Sequence, residues 1–258
     1  MPTFKELWNF AIEDFFTSTA IYVIVVVPFF LVFWVTFKNY FSKRRIQVKK
    51  RSNPQLIRKE IFYSFTTLVI FTVIDVIIYL AQKNGYTRLY ENVEEYGWVY
   101  LIFSTLYVIL LHDAWFYWAH RFMHHPKVYK LVHKIHHEST DPSPFTAFSF
   151  HPLEAVIEST AFITFAFIFP LHLFALLSWQ MIQMILNVIA HLGYEIFPKG
   201  FNTHWLYRWK APSTHHNMHH ERFNGNYGFY FTWWDKWMGT EMKNYNETFN
   251  KVHERIAR

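Results

Sequence analysis

Sixteen of the 258 residues are histidine, and eight of these fall into clusters whose spacing suits metal ligands. His120 and His124 stand four apart. His133, His136 and His137 follow at spacings of three and one, and His216, His219 and His220 repeat that spacing. Residues three or four apart share one face of a helix, so His120 and His124 can grip one ion. In His133-Lys-Ile-His136-His137 the outer pair shares a face, and the middle residue points about a third of a turn away, towards a second ion. The cluster 216–220 can do the same from the opposite side. Imidazole suits iron, zinc, copper and nickel, and eight such ligands are too many for one ion and about right for two.

Other chemistries fit less well. The chain has no cysteine, which excludes disulfides and thiolate sites. A zinc protease helix needs His-Glu-x-x-His, and both His137-Glu138-Ser139-Thr140-Asp141 and His220-Glu221-Arg222-Phe223-Asn224 lack the second histidine. A ferritin-like site would draw Glu and Glu-x-x-His pairs from four helices, and no such set is evident. No glycine-rich phosphate loop is visible. The clusters are internal and interleaved with aromatics, unlike a tag, whereas the isolated His172, His204 and His253 read as surface or core residues. The net charge of +6 does not indicate nucleic acid, because much of it lies in one block, Lys43 to Arg51, between two apolar runs.

The elements that must position these histidines are membrane helices. Hydrophobic residues make up 52% of the chain and aromatics 22%, a share suited to lipid interfaces. Apolar runs over about 19–37, 61–81 and 99–118 are each near the roughly 20 residues that span hydrocarbon; Asp75 is the one charge in the second. A fourth run, 155–190, is nearly twice as long and has Pro170 near its middle, which predicts two helices joined by a tight turn. Residues 1–17 are amphipathic and are expected to lie along the interface; no basic stretch precedes the first run, so a cleaved signal is not expected. The basic 38–59 loop should be cytoplasmic. Counting spans then puts every histidine cluster, and a cap over 191–258, on that same side. The expected fold is all-α: multi-pass transmembrane helices with a cytoplasmic helical cap that carries the histidines.

At these residues the chain resembles the fatty acid hydroxylase/sterol desaturase superfamily. The clusters stand as His120-Arg-Phe-Met-His124, His133-Lys-Ile-His136-His137 and His216-Asn-Met-His219-His220. Their surroundings match too: Asp113-Ala-Trp-Phe-Tyr-Trp-Ala-His120-Arg121, Phe150-His151-Pro152-Leu153-Glu154, His191-Leu-Gly-Tyr-Glu195 and Asn226-Tyr-Gly-Phe-Tyr-Phe-Thr-Trp-Trp-Asp235. The resemblance covers roughly 98–241, which sets off membrane helices over 1–97, a catalytic domain over 98–241 and a tail over 242–258. It implies a non-haem di-iron site that activates O2, hydroxylation or desaturation of a lipid, and a separate electron donor. It adds His191 to the metal ligands and makes His151 a candidate, with His125 and His215 weaker ones. His112, two turns before His120, is a candidate for supporting the site or touching substrate. Ligating histidines hand their second N–H to a carboxylate or carbonyl; Asp113, Glu138, Glu154, Glu195, Glu221 and Asp235 are the carboxylates on offer.

The expected function is thus a membrane di-iron oxygenase acting on a sterol, fatty acyl chain or related lipid, in a bacterial inner membrane or the endoplasmic reticulum. Zinc can replace the two iron ions in recombinant protein. The expected donor is an acidic carrier, cytochrome b5-like or ferredoxin-like, because no flavin or nucleotide motif is visible and the cytoplasmic face is basic. The alternative is a metal-binding or transport protein. A transporter should place its ligands within the spans near the midplane, whereas these histidines gather at one side. A zinc hydrolase is disfavoured because catalytic zinc keeps an open position.

Overall fold

A backbone in hydrocarbon must satisfy its own polar groups, and the apolar runs do so as helices. The computed structural model describes residues 1–48 and 53–257; Lys49, Lys50 and Arg51, the end of the basic block, lie outside the described residues. Helix α1 (Phe4–Phe30) continues as π-helical turns over Leu31–Thr36. It is followed by α2 (Pro54–Lys83), α3 (Gly97–Met123), α4 (Pro126–Val132), α5 (Pro152–Ile168), α6 (Leu173–Ala190), α7 (Ser213–Arg222), α8 (Trp233–Trp237) and α9 (Tyr245–Ala257). Four of these stretches, Phe4–Thr36, Pro54–Lys83, Gly97–Met123 and Leu173–Ala190, are long and apolar enough to cross a membrane. The chain is an integral membrane protein.

The amphipathic N-terminus is not a separate interfacial helix. Neither proline nor glycine interrupts residues 14–20, so the helical ladder runs unbroken into the first apolar run. A capping box between Thr3 and Glu6 closes its first turn. The long fourth run does break around Pro170: α5 ends at Ile168, and His172 caps the start of α6. The turn reaches the loop between α2 and α3. There Leu171–His172 (β2) pairs in parallel with Leu89–Tyr90 (β1), and the Tyr100 hydroxyl donates to the Pro170 carbonyl at 2.9 Å.

Two apolar clusters hold the bundle. Tyr22, Val26, Leu68, Phe145, Phe148 and Val188 join α1, α2 and α6 to the short turn Pro144–Phe148. Val108, Ala161, Phe165, Leu176 and Trp179 join α3, α5 and α6. In lipid, such contacts hold by close fit and dispersion rather than by escape from water.

Residues 124–151 and 191–257 form a cap at the other end of the bundle. It is only partly helical, since 192–212 are turns and short extended pieces. The expected tail is the amphipathic α9, which buries Tyr245, Phe249, Val252 and His253. Its Arg255 donates to the carbonyl of Arg45. The start of the basic loop is strapped to the chain beyond His191: Ile46 N–H donates to Gly193 O at 3.1 Å, and Glu195 N–H to Arg44 O at 2.9 Å. Arg45 pairs with Asp141, and its guanidinium lies 4.8 Å from the Trp34 ring centre and 5.0 Å from that of Tyr194. Gly193 has φ +76°, and a Cβ there would stand 3.0 Å from the Pro142 carbonyl and 3.1 Å from Arg45, so the crossing requires glycine.

Because the native chain has no cysteine, single cysteines test this arrangement directly. Val48 and Lys251 are exposed at the cap end, and Tyr86 is exposed in the loop at the far end. Impermeant maleimide should label Val48→Cys and Lys251→Cys from one side of the membrane and Tyr86→Cys from the other. Labelling of the first two from opposite sides would refute it.

Candidate metal centre

Helix ends deliver the histidines. The last turn of α3 carries His120, and His124 caps it. Helix α4 ends on His133, and a tight 3-10 turn, His136–Glu138, comes next. His191 caps α6. Helix α7 carries His216, His219 and His220, and it is buried from Ser213 to His220 although all of these residues but Met218 are polar. Glu195 anchors its start by accepting from the Thr214 N–H at 2.9 Å and from its hydroxyl at 2.6 Å. A carboxylate is favoured at that helix end.

The fold sorts the nine predicted histidines into two adjoining groups. His120, His124, His133, His137 and His219 form one, and His136, His191, His216 and His220 form the other; within each, the ligand atoms all lie within 4.8 Å of one another. Sequence neighbours part company: His136 and His137 fall in different groups, and so do His219 and His220. The groups touch through their rings, with His137 and His220 centred 4.6 Å apart and His216 and His219 5.3 Å apart.

Hydrogen bonds fix which nitrogen faces inward. The Nδ1 atoms of His120, His191, His219 and His220 lie 2.8–3.0 Å from the carbonyls of Tyr227, Asn187, Gly225 and Ser139. His136 Nδ1 lies 3.4 Å from Ser149 O, and His133 Nδ1 lies 2.6 Å from Glu154 Oε1. A carbonyl only accepts, so the five Nδ1 atoms that face one carry the proton and their Nε2 atoms present lone pairs. Burial first, then the neighbouring imidazoles, push His133, His137 and His216 well below the usual histidine range. Burial takes His191 down to about 3. The rings are neutral.

The Nε2 atoms face one another. In the first group Nε2 atoms stand 3.1 Å apart for His120–His133 and His133–His137, and 3.0 Å apart for His137–His219. In the second they stand 3.3 Å apart for His136–His191, 3.0 Å for His191–His216 and 3.1 Å for His216–His220. The His136–His191 pair has no proton to share, since both Nδ1 atoms face carbonyls, so it repels unless a cation lies between. An ion bound at about 2.1 Å sets its nitrogen ligands about 3.0 Å apart at a right angle and about 3.4 Å apart at the tetrahedral angle. The donor sets therefore fit two metal ions.

The other candidates fall elsewhere. His125 and His151 cap the starts of α4 and α5. His215, adjacent to His216, packs on the Tyr245 ring and lies 3.6 Å from Asp235. His112 bonds Tyr230 at 2.8 Å. Of the six carboxylates, Glu154 alone bonds a histidine of the groups. Asp113 accepts from Tyr230 N–H, Phe231 N–H and Trp233 Nε1, and Asp235 accepts from Tyr227 N–H and Gly228 N–H; they hold the loop that supplies the Tyr227 carbonyl. Glu138 pairs with Lys59, and Glu221 lies beside Arg222 at the surface. Sequence reasoning passes over Glu60, buried and accepting from Ser139 and Ser143, and Glu158. Glu158 is a charged residue within an apolar run, a signal that could have found it; Glu60 follows Arg58 and Lys59 at the polar start of α2, where no such signal marks it.

A cavity of about 380 Å³ runs among α1, α2, α5 and α6, lined by Ile21, Leu68, Phe71, Phe162, Leu177 and Met184 among others. His112 and Trp179 also line it. A small void of about 20 Å³ lies against His120, His133, His136, His191 and His216. Phe150, Glu158 and Gln183 line both spaces, so the cavity leads to the two histidine groups.

Residues 105–240 match the fatty acid hydroxylase family model. A Delta(7)-sterol 5(6)-desaturase of Gibberella zeae is 33% identical over 213 residues, covering 83% of this chain and 64% of its own length. Lathosterol oxidase of Rattus norvegicus is 31% identical over 79% of this chain and 68% of its own. Methylsterol monooxygenase 1 of Gallus gallus is 30% identical over 92% and 82%. The chain thus spans about two thirds of the length of the first of these relatives. No solved structure matches it.

Proposed function

The chain belongs to the fatty acid hydroxylase family, and from that premise we propose that it is a membrane di-iron oxygenase that hydroxylates or desaturates a sterol-like lipid. The observation that carries this reading is the cavity within the bundle that ends at two abutting groups of neutral imidazoles. The substrate class is supported by the relatives, which are named for sterol desaturation and oxidation. One iron ion would be held by His120, His124, His133, His137 and His219, and the other by His136, His191, His216 and His220. Iron so held supplies O2 activation strong enough to take hydrogen from an unactivated carbon. Zinc also binds imidazole well, so zinc-filled recombinant protein is compatible with iron as the working metal.

The chain's own residues do the rest. Glu154 and the carbonyls of Tyr227, Gly225, Ser139, Ser149 and Asn187 hold the rings in one tautomer. The apolar cavity wall excludes water and admits hydrocarbon from the bilayer. The centre faces the cytoplasm in this reading, because the basic segment that begins at Lys43 is strapped to the cap. Electrons come from a separate acidic carrier, cytochrome b5-like or ferredoxin-like; exposed Arg121, Lys127, Lys130 and Lys134 lie near the histidines and would steer it.

Hydroxylation and desaturation share the removal of the first hydrogen and differ in the second step. Lipid mass spectrometry of cells with and without the protein should show one species gaining an oxygen or losing two hydrogens. An unchanged lipid profile from cells whose protein carries two iron ions per chain would reject the reading.

A further inference from the structure

The polar side chains along the cavity are unevenly partnered. Asp14 accepts from the Thr72 hydroxyl at 2.7 Å, Ser159 donates to Ala155 O at 2.8 Å, and His112 is bonded to Tyr230. Glu158 and Gln183 make no hydrogen bond among the described residues, yet they stand at the throat and line both the cavity and the void beside the histidines. Glu158 lies one turn along α5 from Glu154, the partner of His133. Gln183 lies one turn along α6 from Asn187, whose carbonyl fixes His191. Both are on inward faces: α5 buries Glu154, Ala155, Ser159 and Ala161 around Glu158, and α6 buries Asn187 and Val188 beyond Gln183. A carboxyl and a carboxamide left without partners inside a membrane bundle are costly, and a ligand's polar group can repay them.

We propose that Glu158 and Gln183 recognise the hydroxyl group of a lipid alcohol at the threshold of the metal centre, so that the lipid binds hydroxyl-first with its hydrocarbon in the cavity. The proposal rests on the oxygenase reading above and adds the substrate's orientation. A hydroxyl both donates and accepts. The carboxamide N–H can donate to it, and either side chain's oxygen can accept from it. This orientation puts carbons near the hydroxyl beside the histidines and sends the far end of the hydrocarbon away from them. The rival anchor is Asp75, on α2 at the opposite end of the cavity from the histidines; it would present the tail instead.

The test uses metal-loaded full-length protein in nanodiscs, with radiolabelled lathosterol and a deoxy analogue that lacks only the hydroxyl. The wild type should bind lathosterol about tenfold more tightly than the analogue, the scale of one good hydrogen bond. Glu158→Leu and Gln183→Leu should each bring that ratio close to one while two metal ions per chain remain, which shows that the variants are folded. Glu158→Gln, which keeps hydrogen-bonding capacity, should retain most of the preference, and Asp75→Leu should leave it unchanged. Equal affinities in the wild type, binding of neither sterol, or a preference lost in Asp75→Leu and kept in Glu158→Leu would overturn the proposal. A hydroxyl preference without any oxidised product would count against the oxygenase reading and leave this assignment standing.

Discussion

Replacing His191 by alanine is expected to cost the protein one of its two metal ions and to lower lipid oxidation by roughly a hundredfold or more. The reason is ligand count. His191 belongs to the group of four, and its loss leaves His136, His216 and His220. It also stands 3.3 Å from His136 and 3.0 Å from His216 through Nε2, so it links the two sides of that site. His219→Ala should behave differently in one respect. It leaves four imidazoles in the group of five, so metal content should stay nearer two per chain while activity is still lost. His253 serves as the control. Its nitrogens lie 3.0 Å from the carbonyls of Phe249 and Phe197, away from both groups, so His253→Ala should keep both ions. Elemental analysis of purified protein, paired with product measurement, separates these outcomes. Two tightly held ions and wild-type turnover in His191→Ala would end its assignment as a ligand.

Glu154→Ala is expected to weaken metal binding at the five-histidine group by about 10- to 100-fold, the usual effect of losing a partner that orients a ligand. Among the described residues Glu154 is the one carboxylate bonded to a histidine of either group, at 2.6 Å from His133 Nδ1, and it is buried. It fixes the ring of His133, whose Nε2 stands 3.1 Å from both His120 and His137. Glu154→Gln keeps an oxygen that can accept from Nδ1–H in nearly the same place, so it tests how far the hydrogen bond alone orients the ring. Its affinity should fall between those of the wild type and Glu154→Ala. Chelator competition reads the difference, and equal retention by all three proteins would show that the carboxylate is not needed.

What sequence alone determined was local. The spacing of His120 and His124, and of each His-x-x-His-His, is meaningful because three and four residues make one helical turn. The spans were legible because hydrocarbon demands about 20 apolar residues in a helix, and the break near Pro170 because proline has no N–H to donate. The absence of a break near residue 17 was equally readable from the lack of proline or glycine, yet the amphipathic pattern suggested a separate helix. The tertiary structure decided how the histidines are shared. His136 and His137 are neighbours in the chain, but successive residues on a helical turn point about 100° apart, and only the opposing α7 and the end of α6 determine which group each joins. His215 and His216 diverge for the same reason, one towards Tyr245 and the other towards His191. Most of the partners that orient the rings are backbone carbonyls, those of Tyr227, Gly225, Ser139, Ser149 and Asn187. Every residue carries a carbonyl, so no side-chain pattern marks these five; they become visible only once the chain has folded and brought them against the imidazoles.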